Sequence, residues 1–174
     1  QGKTTTPADL VKDLPGDNEA KAETIDNNLQ HEIVKKMSSN SVYYGKLSEM
    51  LKKIIMQRKI EAMSYEEYLR QVVELAEAIL HPETSGSYPD EIKDSAARRA
   101  LYDYFEQNVE LTIDVDGAIR VSIQPEWKRN FQKQQRIRLA IYKKLLLHSY
   151  SEDKATEETN NVFDIAQRQE EYDA

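Results

Sequence analysis

Leu111-Thr112-Ile113-Asp114-Val115-Asp116-Gly117-Ala118-Ile119-Arg120-Val121-Ser122-Ile123 is the stretch on which the fold class turns. Apolar residues alternate on both sides of Asp116-Gly117, which has the form of a β-hairpin. The register counts against the tightest version. A two-residue Asp-Gly turn sets Val115 against Ala118, Ile113 against Arg120 and Leu111 against Ser122. The apolar residues of the two strands then face opposite sides. At a period of 3.6, Leu111, Val115, Ala118 and Ile119 instead form one helical stripe, with Gly117 inside the helix at a cost of ~1 kcal/mol. The pattern of this segment alone leaves both readings standing.

Around it the periodicity is helical. Ile25, Leu29, Ile33 and Met37 recur every four residues, with Ala22 and Val34 widening the stripe, and predict a helix from about Glu19 to Ser38. Leu47, Met50, Leu51, Ile54 and Ile55 predict a second over about Val42 to Ala62. Ser64-Tyr65-Glu66-Glu67 is a capping box in which the hydroxyl accepts from the Glu67 amide and the carboxylate reaches back. It opens a third helix with Tyr65, Leu69, Val72, Ala76 and Ile79 on one face. His81 to Pro89 reads as a loop. A fourth helix covers about Asp94 to Glu106, facing inward with Ala97, Ala100, Leu101, Tyr104 and Phe105. Asn130 to Leu147 is helical, with Phe131, Ile137, Ile141 and Leu145 as its apolar side.

The organisation expected is a lead-in over 1–18, a helical domain over 19–148 and an acidic tail over 149–174. The tail is polar from Ser151 to Glu158 and ends in a short helix over about Asn161 to Tyr172. The fold class is mainly α, an irregular multi-helix bundle, with a short β-hairpin near 111–123 as the minority reading. Composition agrees: of 174 residues, 39% are hydrophobic and 32% charged, with only five Gly and five Pro, too few turn formers for an all-β fold. The absence of Cys removes disulfides, thiolate metal sites and cysteine nucleophiles, and agrees with a cytoplasmic home. No apolar run is long enough to cross a membrane as a helix, and no membrane partner is expected.

Charge is unevenly placed. The net charge of −7 argues against a free-standing, non-specific nucleic-acid binder. Yet Lys128 to Lys144 holds seven basic residues and no acid, while Tyr150 to Ala174 holds eight acids against Lys154 and Arg168. Trp127, Lys128, Arg129, Lys133, Arg136, Arg138, Lys143 and Lys144 are therefore the candidates for DNA or partner contact, with Phe131 interleaved among them. The competing reading is a solvated helix face paired with the acidic tail, which would fold back on Val162, Phe163 and Ile165.

Catalytic patterns fail on their contexts. Gly2-Lys3-Thr4 resembles the end of a phosphate-binding loop, but Pro7 follows where that pattern needs a helix, and no nucleotide site is expected there. His31, His81 and His148 lie on separate segments, and His31-Glu32 has no second His at helical spacing. Glu66-Glu67, Asp114, Asp116 and Glu157-Glu158 read as solvated carboxylates on helix faces, and the ten Tyr as packing residues. No catalytic, cofactor-binding or metal-ligating residue is assigned.

Several segments nonetheless stand in a recognisable order: Ala22-Glu23-Thr24-Ile25-Asp26-Asn27-Asn28; Tyr43-Tyr44-Gly45-Lys46-Leu47-Ser48-Glu49-Met50-Leu51; Ile55-Met56-Gln57-Arg58-Lys59 leading into Ser64-Tyr65-Glu66-Glu67-Tyr68-Leu69; Tyr88-Pro89 ahead of Ala97-Arg98-Arg99-Ala100-Leu101-Tyr102-Asp103; Trp127-Lys128-Arg129-Asn130; and Phe163-Asp164-Ile165-Ala166 with Glu171-Tyr172. From about Ala20 onward the chain resembles the C-terminal region of the R (restriction, motor) subunit of type I restriction-modification enzymes. The weight lies in co-occurrence, since no piece is a catalytic signature. The resemblance implies a parent similar to a type I site-specific deoxyribonuclease with ATP-dependent DNA translocation, needing ATP and Mg. The nuclease and ATPase motifs of such a parent are not in this chain. It implies a helical domain that docks the methyltransferase and specificity subunits, with duplex DNA as the alternative partner. It also tips 111–123 toward helix.

Overall fold

A computed structural model describes residues 14–174. The Gly2-Lys3-Thr4 segment and most of the expected lead-in lie outside the described residues. Eight α-helices follow in order: α1 Asn18–Lys36, α2 Ser41–Lys59, α3 Tyr65–Leu80, α4 Asp90–Lys93, α5 Ala96–Tyr104, α6 Val109–Ser122, α7 Phe131–Leu147 and α8 Glu152–Gln167. Single 3-10 turns occupy Pro82–Thr84, Trp127–Arg129 and Glu170–Tyr172, and the described residues contain no strand.

The helix starts are written in the sequence. Asp17, Asn40, Ser64, Ser95, Asn108, Asn130 and Ser151 each accept, through a side-chain oxygen, the backbone N–H three residues on. Every helix longer than α4 is capped this way, which satisfies one of the orphan amides of its first turn. The Ser64 box is made on one side only. Ser64 Oγ accepts from the Glu67 amide at 3.1 Å. The Glu67 carboxylate turns forward instead, accepting from Arg70 Nε at 3.0 Å and Gln71 Nε2 at 2.9 Å.

The 111–123 segment is helix, not hairpin. Leu111, Val115 and Ile119 are buried on one stripe, while Ala118 is half-buried to one side of it. Asn108 Oδ1 accepts from the Leu111 amide at 3.1 Å and starts α6.

The chain divides into two compact units, Gln1–Ser87 and Tyr88–Ala174. This boundary falls inside the single 19–148 domain expected from sequence. Unit 1 packs α1, α2 and α3 against one another. Ile25, Leu29, Ile33, Leu51, Val72 and Ile79 are all but inaccessible in its core. A charged cluster lies among them. Asp26 accepts from Arg58 Nη2 at 2.6 Å and from the Tyr68 hydroxyl at 2.6 Å. Glu19 accepts from Arg58 Nη1 at 2.5 Å.

Unit 2 is built on α5 to α8, with α6 and α8 both packed on α7. Its core joins Leu101, Leu111, Val115, Ile119, Ile137, Ile141, Leu145, Val162 and Phe163 with Trp127 and Tyr172. The segment after Ser151 is one sixteen-residue helix and not a polar tail with a late short helix. Ala155 and Thr159 bury its first half, and Val162, Phe163 and Ala166 its second. The expected fold-back onto the basic helix is present, with Val162 and Phe163 as its buried anchors and Ile165 packed at the margin. Phe131, placed on the inward face of α7 by its spacing, is 72% exposed.

Candidate functional site

Glu126 adopts a left-handed conformation (φ 59°) and turns the chain into the 127–129 turn. That turn sends Trp127 into the core, where it is 1% exposed. Its Nε1–H donates to the Tyr172 carbonyl at 2.7 Å, and its ring meets Phe163 edge-on, centroids 5.8 Å apart. Trp127 holds the Glu170–Tyr172 turn in place and turns no face outward.

The basic run then separates into two sets. Lys128 Nζ donates to the Gln169 carbonyl at 3.1 Å and to the Asp173 carboxylate. Lys133 Nζ donates to the Pro125 carbonyl at 2.6 Å. Arg138 donates to Asn160 Oδ1 at 2.5 Å and lies 3.9 Å over the Phe163 ring. Lys133 and Arg138 join α7 to the loop before it and to α8, and Lys128 ties the 127–129 turn to the chain after α8. Arg129, Arg136, Lys143 and Lys144 form no ion pair or side-chain hydrogen bond among the described residues. Arg136, Ala140, Lys143 and Leu147 follow at i, i+4, i+7 and i+11, so they share one stripe, on the opposite flank from Arg138.

That stripe borders a groove of about 470 Å³ between α6 and α7. Ile113, Gly117, Ala118, Val121 and Ala140 line it, and Lys143 and Lys144 stand at its rim with Asp114. Val121 is 83% exposed and Leu147 76%. The Asp114 carboxylate lies 2.7 Å from His148 Nε2, joining α6 to the end of α7.

The strongest electrostatic feature is one that sequence reasoning placed in solvent. Asp116 is 0% exposed. Its carboxylate accepts from the Tyr172 hydroxyl at 2.6 Å, from Arg98 Nε at 2.8 Å and from Arg120 Nε at 2.9 Å. Burial works to raise its pKa, but the hydrogen bonds from Tyr172, Arg98 and Arg120 outweigh it and hold the group below the usual aspartate value. Glu171 extends the network, accepting from Ser95 Oγ at 2.7 Å, Arg120 Nη2 at 2.8 Å and the Ala97 amide at 3.2 Å. Burial and then the Asp116 charge raise the Tyr172 hydroxyl well above its ordinary pKa. With no solvent-facing oxygen, Asp116 binds α5, α6 and the Glu170–Tyr172 turn together; a substrate has no access to it.

A second cleft, of about 660 Å³, lies beside Tyr104, His148, Tyr150, Lys154 and Glu158. Three of its polar groups are engaged with one another, Glu158 accepting from Tyr104 and from Lys154 Nζ, the latter at 2.7 Å, and His148 is held by Asp114. His31 is exposed and His81 lies 3.3 Å from Glu83. Among the described residues no group of three or more His, Asp or Glu is placed to hold a metal ion, and no helix is long and apolar enough to cross a membrane.

Comparison with protein families, with curated proteins and with solved structures finds no match to this chain.

Proposed function

We propose that this chain is a cytoplasmic assembly domain, similar in role to the C-terminal helical region of type I restriction enzyme R subunits. In that role it docks an ATP-dependent DNA translocase and endonuclease subunit onto the methyltransferase–specificity core. The observation that carries the reading is the outer flank of α7. Lys143 and Lys144, with no ion pair or side-chain hydrogen bond among the described residues, stand with the exposed Val121 on one groove, and Arg136 and the exposed Leu147 continue the α7 stripe on either side, while Arg129, equally without such a partner, lies ahead of the helix. Apolar surface set in unpaired charge is the pattern of a protein-binding patch. The test is capture of the chain by the immobilised cognate methyltransferase–specificity complex. Association with Kd of about 1 μM or tighter is expected. No association at that concentration refutes the assembly role.

The same cations support a second reading, contact with duplex DNA on its way to the motor. Four phosphate contacts would make log K fall with log salt with a slope of about −0.9 per contact. Absence of DNA binding at low salt eliminates this reading, and a steep salt slope in the absence of core binding establishes it over the first.

A further inference from the structure

The α6/α7 groove combines three properties that together specify an occupant. Its walls are apolar and open to solvent, with Val121 almost wholly exposed and Ile113 half-buried. Its floor is low. Gly117, Ala118 and Ala140 leave the two helix backbones close to the surface, and a Cβ added at Gly117 would meet nothing within 4 Å. Gly117 does not have the positive φ that calls for glycine, so neither backbone conformation nor internal packing requires it there. A mid-helix glycine lowers helix stability relative to alanine. Its effect is to let another backbone approach, since the distance between packed helices is set by the side chains at their contact. Its rim is basic, with Lys143 and Lys144 there and Arg136 one turn before Ala140 on the same stripe, none of them paired among the described residues, while the one acidic side chain in the lining, Asp114, is engaged by His148.

We infer that this groove receives an amphipathic α-helix of a partner protein, its apolar stripe laid over Gly117, Ala118 and Ala140 and its acidic flank reaching Lys143, Lys144 and Arg136. The inference deepens the assembly reading and rests on it. It names the element by which the core is held and the sign of its charge. An apolar ridge in an apolar groove supplies affinity, and the flanking charges set orientation and partner choice. Duplex DNA would meet the same cations, but phosphates gain nothing from Val121 and Ile113 and lose hydration against them.

The experiment uses the full chain, labelled with nitrogen-15, and two synthetic amphipathic helical peptides. They share one Leu/Ala stripe and differ in flanks, glutamate in one and lysine in the other. The acidic peptide should shift the amides of Gly117, Ala118 and Ala140 saturably, and the basic peptide should leave them in place. Lys143→Glu with Lys144→Glu, and separately Gly117→Leu, should each weaken the acidic peptide by about tenfold or more, the scale of a lost anchor or charge reversal at an interface. Gly117→Ala, which suits a helix better than the native residue, covers the case in which Gly117→Leu disturbs folding. It should weaken binding while the thermal transition rises. Gly45→Ala in α2 should leave binding unchanged. Equal response to both peptides, or groove shifts produced by a short duplex and not by peptide, overturns the inference. Binding of the acidic peptide without capture by the methyltransferase–specificity core removes the assembly reading and leaves the groove. Capture that survives every groove variant removes the groove inference alone.

Discussion

Asp116→Asn keeps the outline of the side chain and removes its charge, leaving Arg98, Arg120 and the Tyr172 hydroxyl around a neutral amide. Breaking a buried ion pair by removing one partner costs about 3–5 kcal/mol. Arg98 and Arg120 are 35% and 39% exposed along their side chains, so water takes up part of their lost interaction. The Tyr172 ring is buried and has no such recourse. The loss therefore falls near the low end, about 3 kcal/mol. For a domain the size of Tyr88–Ala174, each kcal/mol moves Tm by about 4–8 °C, which gives a fall of roughly 12–24 °C. The assay is thermal unfolding followed by the fluorescence of Trp127, the one tryptophan of the chain and a core residue of unit 2. Glu157→Gln is the control. That carboxylate is 68% exposed and 3.7 Å from Lys154, and its loss should stay within about 0.5 kcal/mol. A fall in Tm for Asp116→Asn no larger than the control's would refute the assignment of Asp116 as the residue that holds unit 2 together.

The folded pKa of Asp116 lies below its ordinary value of 3.8, so its ionised form contributes stability that is complete above that pH and is lost as pH falls through the folded value. Acid titration of the same fluorescence should show this loss, and Asp116→Asn should flatten it; superimposable acid profiles would contradict the network. Tyr172 runs the other way. Its folded pKa is raised above 10.0, so its contribution is complete below that pH and lost as pH rises through the folded value, and Tyr172→Phe should lessen the alkaline decline, which Tyr104 and Tyr150 share. Ending the chain before Asn160 takes Val162, Phe163, Ala166 and Tyr172 from the core, at up to about 1.5–3 kcal/mol for each large side chain. The fluorescence transition should then lose its cooperativity, and a sharp transition near the original temperature would rule out the folded-back helix. Gly45→Ala and Gly117→Ala should each add about 0.5–1 kcal/mol, read from urea midpoints, because both positions have open space where the methyl would go.

Most helices were legible because apolar residues recur at helical spacing, and at Ser64 a capping box marks the start as well; the caps at Asp17, Asn40, Ser95, Asn108, Asn130 and Ser151 are a second signal that settles a start where the spacing is ambiguous. Leu111 to Ile123 carries enough β-branched residues and an Asp-Gly pair to imitate a hairpin, yet Asn108 three residues upstream is a helix cap, and it decides the matter. The last segment looked solvated from Ser151 to Glu158 because its buried positions there are Ala155 and Thr159, small or polar residues that carry little hydropathy. The candidate site was half-legible. Seven cations and no acid between Lys128 and Lys144 stand out in any reading, but which of them are spent on carbonyls and on Asn160 depends on where the Pro125 loop, α8 and the Glu170–Tyr172 turn come to rest. Asp116 was invisible for the same reason. Its burial is made by Arg98 on α5 and Tyr172 after α8, eighteen and fifty-six residues away.

The two buried carboxylates also order events during synthesis. Asp26 is satisfied by Arg58 and Tyr68, so the last residue its cluster needs has been made before α3 is complete. Asp116 must wait for Tyr172, fifty-six positions further on, before its third donor exists. While a ribosome is still extending the chain, unit 1 can close around its ion pair, whereas α6 emerges with a charge that its neighbours cannot yet fully enclose. Over that interval the apolar side of α6 stays in contact with water, the condition under which nascent segments recruit chaperones or misassociate. On this order unit 2 is expected to close late, once the Glu170–Tyr172 turn docks and Trp127 reaches the Tyr172 carbonyl.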